Sequence, residues 1–354
     1  MSLKDYLQID DRQRRFADLY ARHKLLHTDP DNCRPIIIVN TPVPNLPSWE
    51  ERLADPLVML KAELDELRCH LQLGDDRVPT VRVQFGTGQV AAAFGCDMYL
   101  PPNSLPAASS HVLRRIEDVE GLKRPALTDG WYGKLLEWTA LWQENLPDGV
   151  HIQHPDIQSA FNSAHLIRGN EIFTDFYDKP ELVGKLLDMV TDFMIDITRH
   201  VKGLISDDRE WFFDWGAMWR GCARISNCSM HMISPEFYRR WVLPRDLRFF
   251  ESVGGGRIHY CGTAAAVIDE YFKIPTISGL DVHCAHHDFF ALCDRAPAGM
   301  ILASNEPFAK GSRELDRLLA GGWPRKRNIV VLTSAGSVEE GKALLGRLRE
   351  SMPW

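Results

Sequence analysis

The chain has no long basic run: lysine and arginine total 41 against 48 acids, for a formal net charge of −7. Nucleic acid is therefore not an expected partner, because phosphate binding depends on clustered positive charge. No apolar stretch reaches membrane-spanning length, and the start Met1-Ser2-Leu3-Lys4-Asp5 lacks the basic segment and apolar core of a signal peptide. The expectation is a cytoplasmic protein that does not engage a membrane. Cysteine is sparse, eight residues spread from Cys33 to Cys293, which is not the dense pattern of a disulfide framework. Reduced thiols follow. No internal repeat, low-complexity tract or linker divides the sequence, so residues 1–354 read as one domain.

What is present is the balance of an ordinary globular chain, 45% hydrophobic and 25% charged, long enough to bury a substantial core. After a first helical stretch, β-rich apolar runs recur at Pro35 to Val39, Val78 to Phe85, Val150 to Gln153, Trp211 to Trp215, Arg257 to Tyr260, Ile277 to Val282, Met300 to Ala303 and Asn328 to Leu332. Each is followed by a helix-like segment. That alternation predicts an α/β fold, a (β/α)8 TIM barrel with an N-terminal helical extension. Ser48 with Glu51 and Ser337 with Glu340 have capping-box spacing, and Ser234-Pro235 gives an N-cap with a prolyl first turn. After Pro180, the residues Leu182, Leu186, Val190, Phe193 and Ile197 fall on one helical face and are read as core. Residues 100–150 form a proline- and tryptophan-containing excursion, a lid or an insertion.

The stretch Arg257-Ile258-His259-Tyr260-Cys261-Gly262 carries the strongest chemical signal. Residues two apart on a strand point the same way, so His259 and Cys261 bring an imidazole and a thiol together at the C-terminal rim of the fifth strand. Nitrogen and sulfur donors suit zinc, whose catalytic sites use about three protein ligands and an open position. A metal-free, partly buried pair is the alternative. Cys228, or His283 and Cys284 in the cluster Val282-His283-Cys284-Ala285-His286-His287, offer further ligands; Cys228 can equally be a small buried hydrophobe. Asp156 after the third strand is a candidate proton-transfer group or else a structural N-cap, and Asp214 at the end of the fourth is a candidate catalytic carboxylate that, beside aromatics, also suits recognition of a small amphipathic molecule, with Gln153, Trp215 and Asn305 as substrate contacts. The barrel register commits His151, Asp156, Asp214, His259, Cys261, His283, Asn305 and Ser334 to one rim. Gly86-Thr87-Gly88 fits a dinucleotide fingerprint only loosely, and no acidic residue follows at the expected distance.

Several of these segments occur in a familiar order. Ile233-Ser234-Pro235-Glu236-Phe237-Tyr238, Val242-Leu243-Pro244, His259-Tyr260-Cys261-Gly262 and Asn305-Glu306-Pro307 resemble the ordered motifs of the uroporphyrinogen decarboxylase superfamily, as does Leu166-Ile167-Arg168-Gly169-Asn170-Glu171 through Tyr177-Asp178-Lys179-Pro180-Glu181. Within it, the His-x-Cys pair resembles that of the cobalamin-dependent methyltransferases, in which histidine and cysteine bind zinc and a cysteine near the last strand completes the set. Here the last strand, Val330 to Gly336, has no cysteine, and Cys228 is the replacement the sequence offers, standing where relatives tend to carry an acid. True decarboxylases carry an arginine-rich N-terminal signature for the carboxylates of their substrate. Ile38-Val39-Asn40-Thr41-Pro42-Val43 has no arginine, so porphyrinogen is not the expected substrate.

The resemblance implies a zinc-dependent methyl or alkyl transferase acting on a small thiol or pterin, with a methyl-corrinoid carried by a partner protein as donor, and a homodimer. The competing readings are a metal-independent decarboxylase of a small acid and a non-catalytic protein that keeps the barrel pocket.

Overall fold

A computed structural model describes residues 2–7, 12–304 and 307–354. Asn305 lies outside the described residues. Capping by side-chain oxygens sets several helix starts as the sequence predicts. Ser48 Oγ accepts from Glu51 N at 3.2 Å while Ser48 N donates to Glu51 Oε2 at 2.8 Å, which satisfies two orphan donors at once. Ser234 and Ser337 accept from Phe237 N and Glu340 N in the same way. The helices used below are α1 (Arg12–Thr28), α2 (Pro56–Leu73) and α3 (Pro180–Ile205). On α3 the predicted stripe is buried from Leu186 to Ile197, with Leu182 half-buried at its start. Among the described residues no helix is long and apolar enough to cross a membrane.

Apart from a short antiparallel pair, Met98–Tyr99 with Ala107–Ala108, the strands are β1 (Ile36–Asn40), β2 (Thr80–Val81), β3 (His151–Ile152), β4 (Ile157–Gln158), β5 (Trp211–Asp214), β6 (Ala217–Arg220), β7 (Ala223–Ser226), β8 (Gly256–His259), β9 (Ile277–Val282), β10 (Ile301–Ser304) and β11 (Ile329–Ser334). Seven of them form one parallel sheet in the order β1-β11-β10-β9-β8-β7-β4, and β2 pairs in parallel with β3. With β3 and β4 as two halves of one strand broken around Pro155, this is a (β/α)8 barrel whose ladder is open between the first and second positions. The opening has a local cause. Ile37 N and Val39 N, which would donate to a neighbouring strand, donate instead to the carboxylates of Asp76 and Asp75 at 2.9 Å each. Backbone donors so occupied need no second strand.

The fourth barrel strand is not Trp211 to Trp215. That run is β5, the first arm of an antiparallel hairpin with β6, and the barrel strand is β7, nine residues beyond Asp214 at its start, Ala223. The two-residue turn Trp215-Gly216 has φ of 50° and 70°. Two positive φ values mark a type I′ turn, whose twist matches antiparallel arms and reverses the chain before it can join a parallel sheet. Alternate residues of the barrel strands show where the hairpin goes. Ile36, Ile38, Ile301, Ala303, Val330 and Leu332 cluster with Phe212, Ala217 and Trp219, whereas Ile37, Val39, Leu302 and Val331 belong to the core shared with the helices. The hairpin thus packs on the inward face of the sheet. Gly279 is required there, because a Cβ would fall on the ring of Trp219. Gly279→Ala is expected to lower stability by about 1–3 kcal/mol through overpacking. Adding Trp219→Phe should recover part of that loss in urea denaturation; equal stability of Gly279→Ala and wild type would mean that the ring does not sit against the strand.

One rim assignment also changes. His151 stacks on Phe213 with ring centroids 4.9 Å apart and meets Tyr20 of α1. Helix α1 crosses the N-terminal end of the barrel: its His23 and His27 bond the backbone of Met218, and His27 lines a cavity of about 500 Å³ with Gly255, Thr276 and Met300 at the starts of strands. His151, as the first residue of β3, therefore faces the end opposite the rim.

Candidate metal centre

The register between β7 and β8 builds the centre. Ser226 lies opposite His259, and Asn227 N donates to His259 O at 2.7 Å. Two residues further along each chain, Cys228 and Cys261 come together. Nδ1 or Nε2 of His259 and the two Sγ atoms all lie within 4.8 Å of one another, and His259 Nε2 is 3.2 Å from Cys261 Sγ. Tetrahedral zinc with Zn–S of about 2.3 Å and Zn–N of about 2.0 Å sets donor atoms roughly 3.5–3.8 Å apart. Donor atoms within 4.8 Å of one another reach that geometry with shifts of about 1 Å. Their chemistry fits as well. Cys261 is exposed, and hydrogen bonding first from Cys228 and then from His259 pulls its thiol down to about 4, while the same contact with Cys261, followed by burial, pushes Cys228 up. Between them the cysteines keep one thiolate ready at neutral pH.

The other two thiol and imidazole candidates are placed elsewhere. His283 Nδ1 accepts from Gly262 N at 2.5 Å, and Cys284 Sγ donates to Val282 O at 3.3 Å and lines a separate cavity with His286 and His287. Of the three possible completions, the geometry selects Cys228.

Behind His259 runs an alternating ladder of charges. His259 Nδ1 donates to Asp281 Oδ2 at 2.8 Å, Asp281 pairs with Arg257, and Arg257 Nε donates to Asp214 Oδ2 at 2.8 Å. Asp214 also pairs with Arg82 and, at 3.2 Å, with Arg224 Nε; Arg224 pairs in turn with Asp156. Burial alone would raise the Asp281 carboxyl, but Arg257, His259 and Arg224 outweigh it and hold it below the usual carboxylate range. A carboxylate so fixed orients the imidazole and leaves Nε2 as the donor nitrogen toward the cysteines. Asp281→Asn should lower stability by leaving Arg257 short of a counter-charge and, in the folded protein, weaken zinc binding about 10–100-fold, read by competition with a chromophoric chelator. Unchanged affinity would reduce Asp281 to a structural partner of Arg257.

This ladder takes in the two candidate catalytic carboxylates. Asp214 is buried with its oxygens on three arginines, and it terminates a hairpin arm rather than a barrel strand. Asp156 keeps a partly exposed edge but is shared by Arg224 and Arg82. Gln153 Oε1 accepts from Arg82 Nη2 at 3.1 Å and from Trp215 N at 2.7 Å, which pins the strained turn. The Trp215 ring lies 5.4 Å from that of His259, and Arg224 sits 5.2 Å over it. Gln153 and Trp215 line a cavity of about 370 Å³ with Glu63, Arg77, Arg82 and Gln84, at the opening between β1 and β2. Arg82, Arg224, Arg257 and Asp281 had no role in the sequence reading, although each interrupts an apolar strand: Val81-Arg82-Val83, Ala223-Arg224-Ile225, Gly256-Arg257-Ile258, Leu280-Asp281-Val282.

The pattern of the family described as uroporphyrinogen decarboxylase (URO-D) matches residues 48–288, which include the whole centre. The chain belongs to that family. Among curated proteins it is 27% identical over 267 residues to the methylcobamide:CoM methyltransferase MtbA of Methanosarcina acetivorans, covering 74% of this chain and 72% of that one. It is 24% identical over 220 residues to MtbA of Methanosarcina mazei, covering 60% of this chain and 59% of that one. A solved methyltransferase structure from Methanosarcina mazei superimposes with a TM-score of 0.68 at 20% identity, over 94% of this chain and 98% of the other. That likeness carries the fold.

Proposed function

We propose that this URO-D family protein is a zinc-dependent methyltransferase that moves a methyl group from a methyl-corrinoid, carried by a partner protein, to a small thiol. The observation that carries the reading is the convergence of Cys228, His259 and Cys261, a Cys2His donor set; catalytic zinc sites with three protein ligands use the fourth position for substrate. The relatives named methylcobamide:CoM methyltransferase support both the donor and the thiol acceptor. Bound zinc would supply a lowered thiol pKa, so that the acceptor is a thiolate at neutral pH. The protein's own groups do the rest. Asp281 fixes the His259 tautomer, Trp215 and Gln153 shape the approach, and the rim stays open to a large donor. The acceptor sulfur attacks the methyl carbon, the carbon–cobalt bond breaks with its electron pair left on cobalt, and the thiol proton goes to solvent.

Anaerobic incubation of the zinc-loaded protein with methylcobalamin and a thiol tests this, with demethylation followed by the change in corrinoid absorbance. Enhancement over the protein-free rate that disappears on chelation supports the reading; a rate independent of protein removes it. Uroporphyrinogen is expected to remain undecarboxylated in a parallel anaerobic assay. The cavity of about 370 Å³ is near the lower end of small-molecule sites, small for a tetrapyrrole, and it offers few cations for that substrate's many carboxylates, Arg82 being already held by Asp214 and Asp156.

A further inference from the structure

The cavity at the barrel opening holds one uncommitted charge of each sign. Among the described residues no carboxylate pairs with Arg77: its Nη1 stands 3.4 Å from His70 Nε2, and its Nε is buried without a partner. Among the described residues no cationic side chain forms a salt bridge with Glu63, which is 6% exposed and accepts the backbone N–H of Arg82 at 2.9 Å; the charges of Arg77 and Arg82 act on it only from a distance. Its neighbour Glu66 is matched by Arg52 at 3.6 Å, and Arg82 is matched by Asp214 and Asp156. Gln153, with its carbonyl oxygen already spent on Arg82 and Trp215, has its amide N–H groups left to donate. The inner wall is Trp215, whose ring abuts His259.

We propose that this cavity takes a small zwitterion, an α-amino acid bearing a thiol, with its carboxylate on Arg77 and Gln153 and its ammonium on Glu63. The inference rests on the methyl-transfer reading for the fate of the thiol, which would extend past Trp215 toward His259 and the two cysteines. It does not rest on it for the recognition of the amino and carboxylate groups. A ligand of one sign cannot satisfy both walls. A sulfonate or simple carboxylate thiol neutralises Arg77 and leaves Glu63 to stay protonated with no ligand group to meet it, and an amine leaves Arg77 without an anion. Burial first, and then the charge of Glu66, push Glu63 up to about 7, so the carboxyl gains an ionised state when a cation arrives. A volume of about 370 Å³ holds a small amino acid and excludes a cofactor-sized one.

Isothermal titration with four probes decides the question: L-homocysteine, L-2-aminobutyrate as the same zwitterion without sulfur, 3-mercaptopropionate without the ammonium, and 2-mercaptoethanesulfonate. The zinc-loaded protein should bind L-homocysteine at least about tenfold more tightly than either anionic thiol, a gap of about 1.4 kcal/mol. L-2-aminobutyrate should bind the metal-free protein. Glu63→Gln, which keeps an acceptor for Arg82 N, should weaken both amino acids about tenfold and leave 3-mercaptopropionate unchanged; Arg77→Met should weaken all carboxylate ligands. Tighter binding of 2-mercaptoethanesulfonate than of L-homocysteine, or no binding of L-2-aminobutyrate at millimolar concentration, overturns the proposal. If L-2-aminobutyrate binds but zinc is not retained, the pocket stands and the methyltransferase reading falls. If zinc and thiols bind without preference for the zwitterion, the reverse holds.

Discussion

Cys261→Ala is expected to leave the protein without stoichiometric zinc, below about one-tenth equivalent after dialysis against zinc and then buffer, whereas Cys293→Ala retains the wild-type content. The contrast follows from where the two thiols sit. Cys261 leaves β8 two residues beyond His259, exposed at the rim, and its thiol is lowered to about 4 by Cys228 and His259, so it enters the site as a thiolate. Cys293 is buried in the core, where desolvation pushes its thiol up to about 12. Removing Cys261 leaves one thiol and one imidazole, too few donors to hold the ion against dialysis. Cys228→Ala should have the same direction of effect, because the last strand supplies no cysteine to replace it. Metal analysis by mass spectrometry checks all three variants. Wild-type protein that holds less than about one-tenth equivalent would show the trio to be a hydrogen-bonded thiol–imidazole cluster instead, and the methyltransferase proposal would go with it.

The juxtaposition of His259 and Cys261 was legible because spacing of two on a strand forces a shared side, and that rule needs no knowledge of neighbours. Cys228 required one more fact, the identity of the fourth barrel strand. A run such as Trp211 to Asp214 looks alike whether it joins the barrel or packs on its inward face. What distinguishes them is the turn at Trp215-Gly216, and a tryptophan at φ 50° is a turn residue that propensity does not anticipate. Once Ala223–Ser226 is the strand, the pairing of Ser226 with His259 places Cys228 beside Cys261 by counting alone. The open seam between the first two strands was not legible, since it depends on Asp75 and Asp76 folding back onto β1. The arginine ladder was within reach. A cation in the middle of an apolar strand faces either solvent or a buried anion, and Arg224 opposite Arg257 in adjacent strands, with Asp281 interrupting the next, argue for the second.

That ladder should be the most costly part of the fold to disturb. Asp214 is buried and holds Arg82, Arg224 and Arg257 together, and burial followed by the neighbouring Arg82 and Arg257 already presses Arg224 below the usual guanidinium range. Counted as formal charges, three arginines face Asp156, Asp214 and Asp281, so the set is balanced only while all three acids are ionised. Asp214→Asn preserves shape but leaves an uncompensated positive charge in the interior, and an expected loss of about 3–5 kcal/mol of stability follows. The exposed pair Arg124–Asp196 supplies the comparison: Asp196→Asn should cost less than about 1 kcal/mol, because solvent and salt already screen it. Urea denaturation should show a lower midpoint for Asp214→Asn with little change in slope. Combining it with Arg82→Met restores the balance with two arginines and two acids, so the second change should cost less in the Asp214→Asn background than in wild type. Strict additivity of the two would mean that Asp214 and Arg82 do not share one electrostatic unit, and the support of His259 would then rest on Asp281 and Arg257 alone.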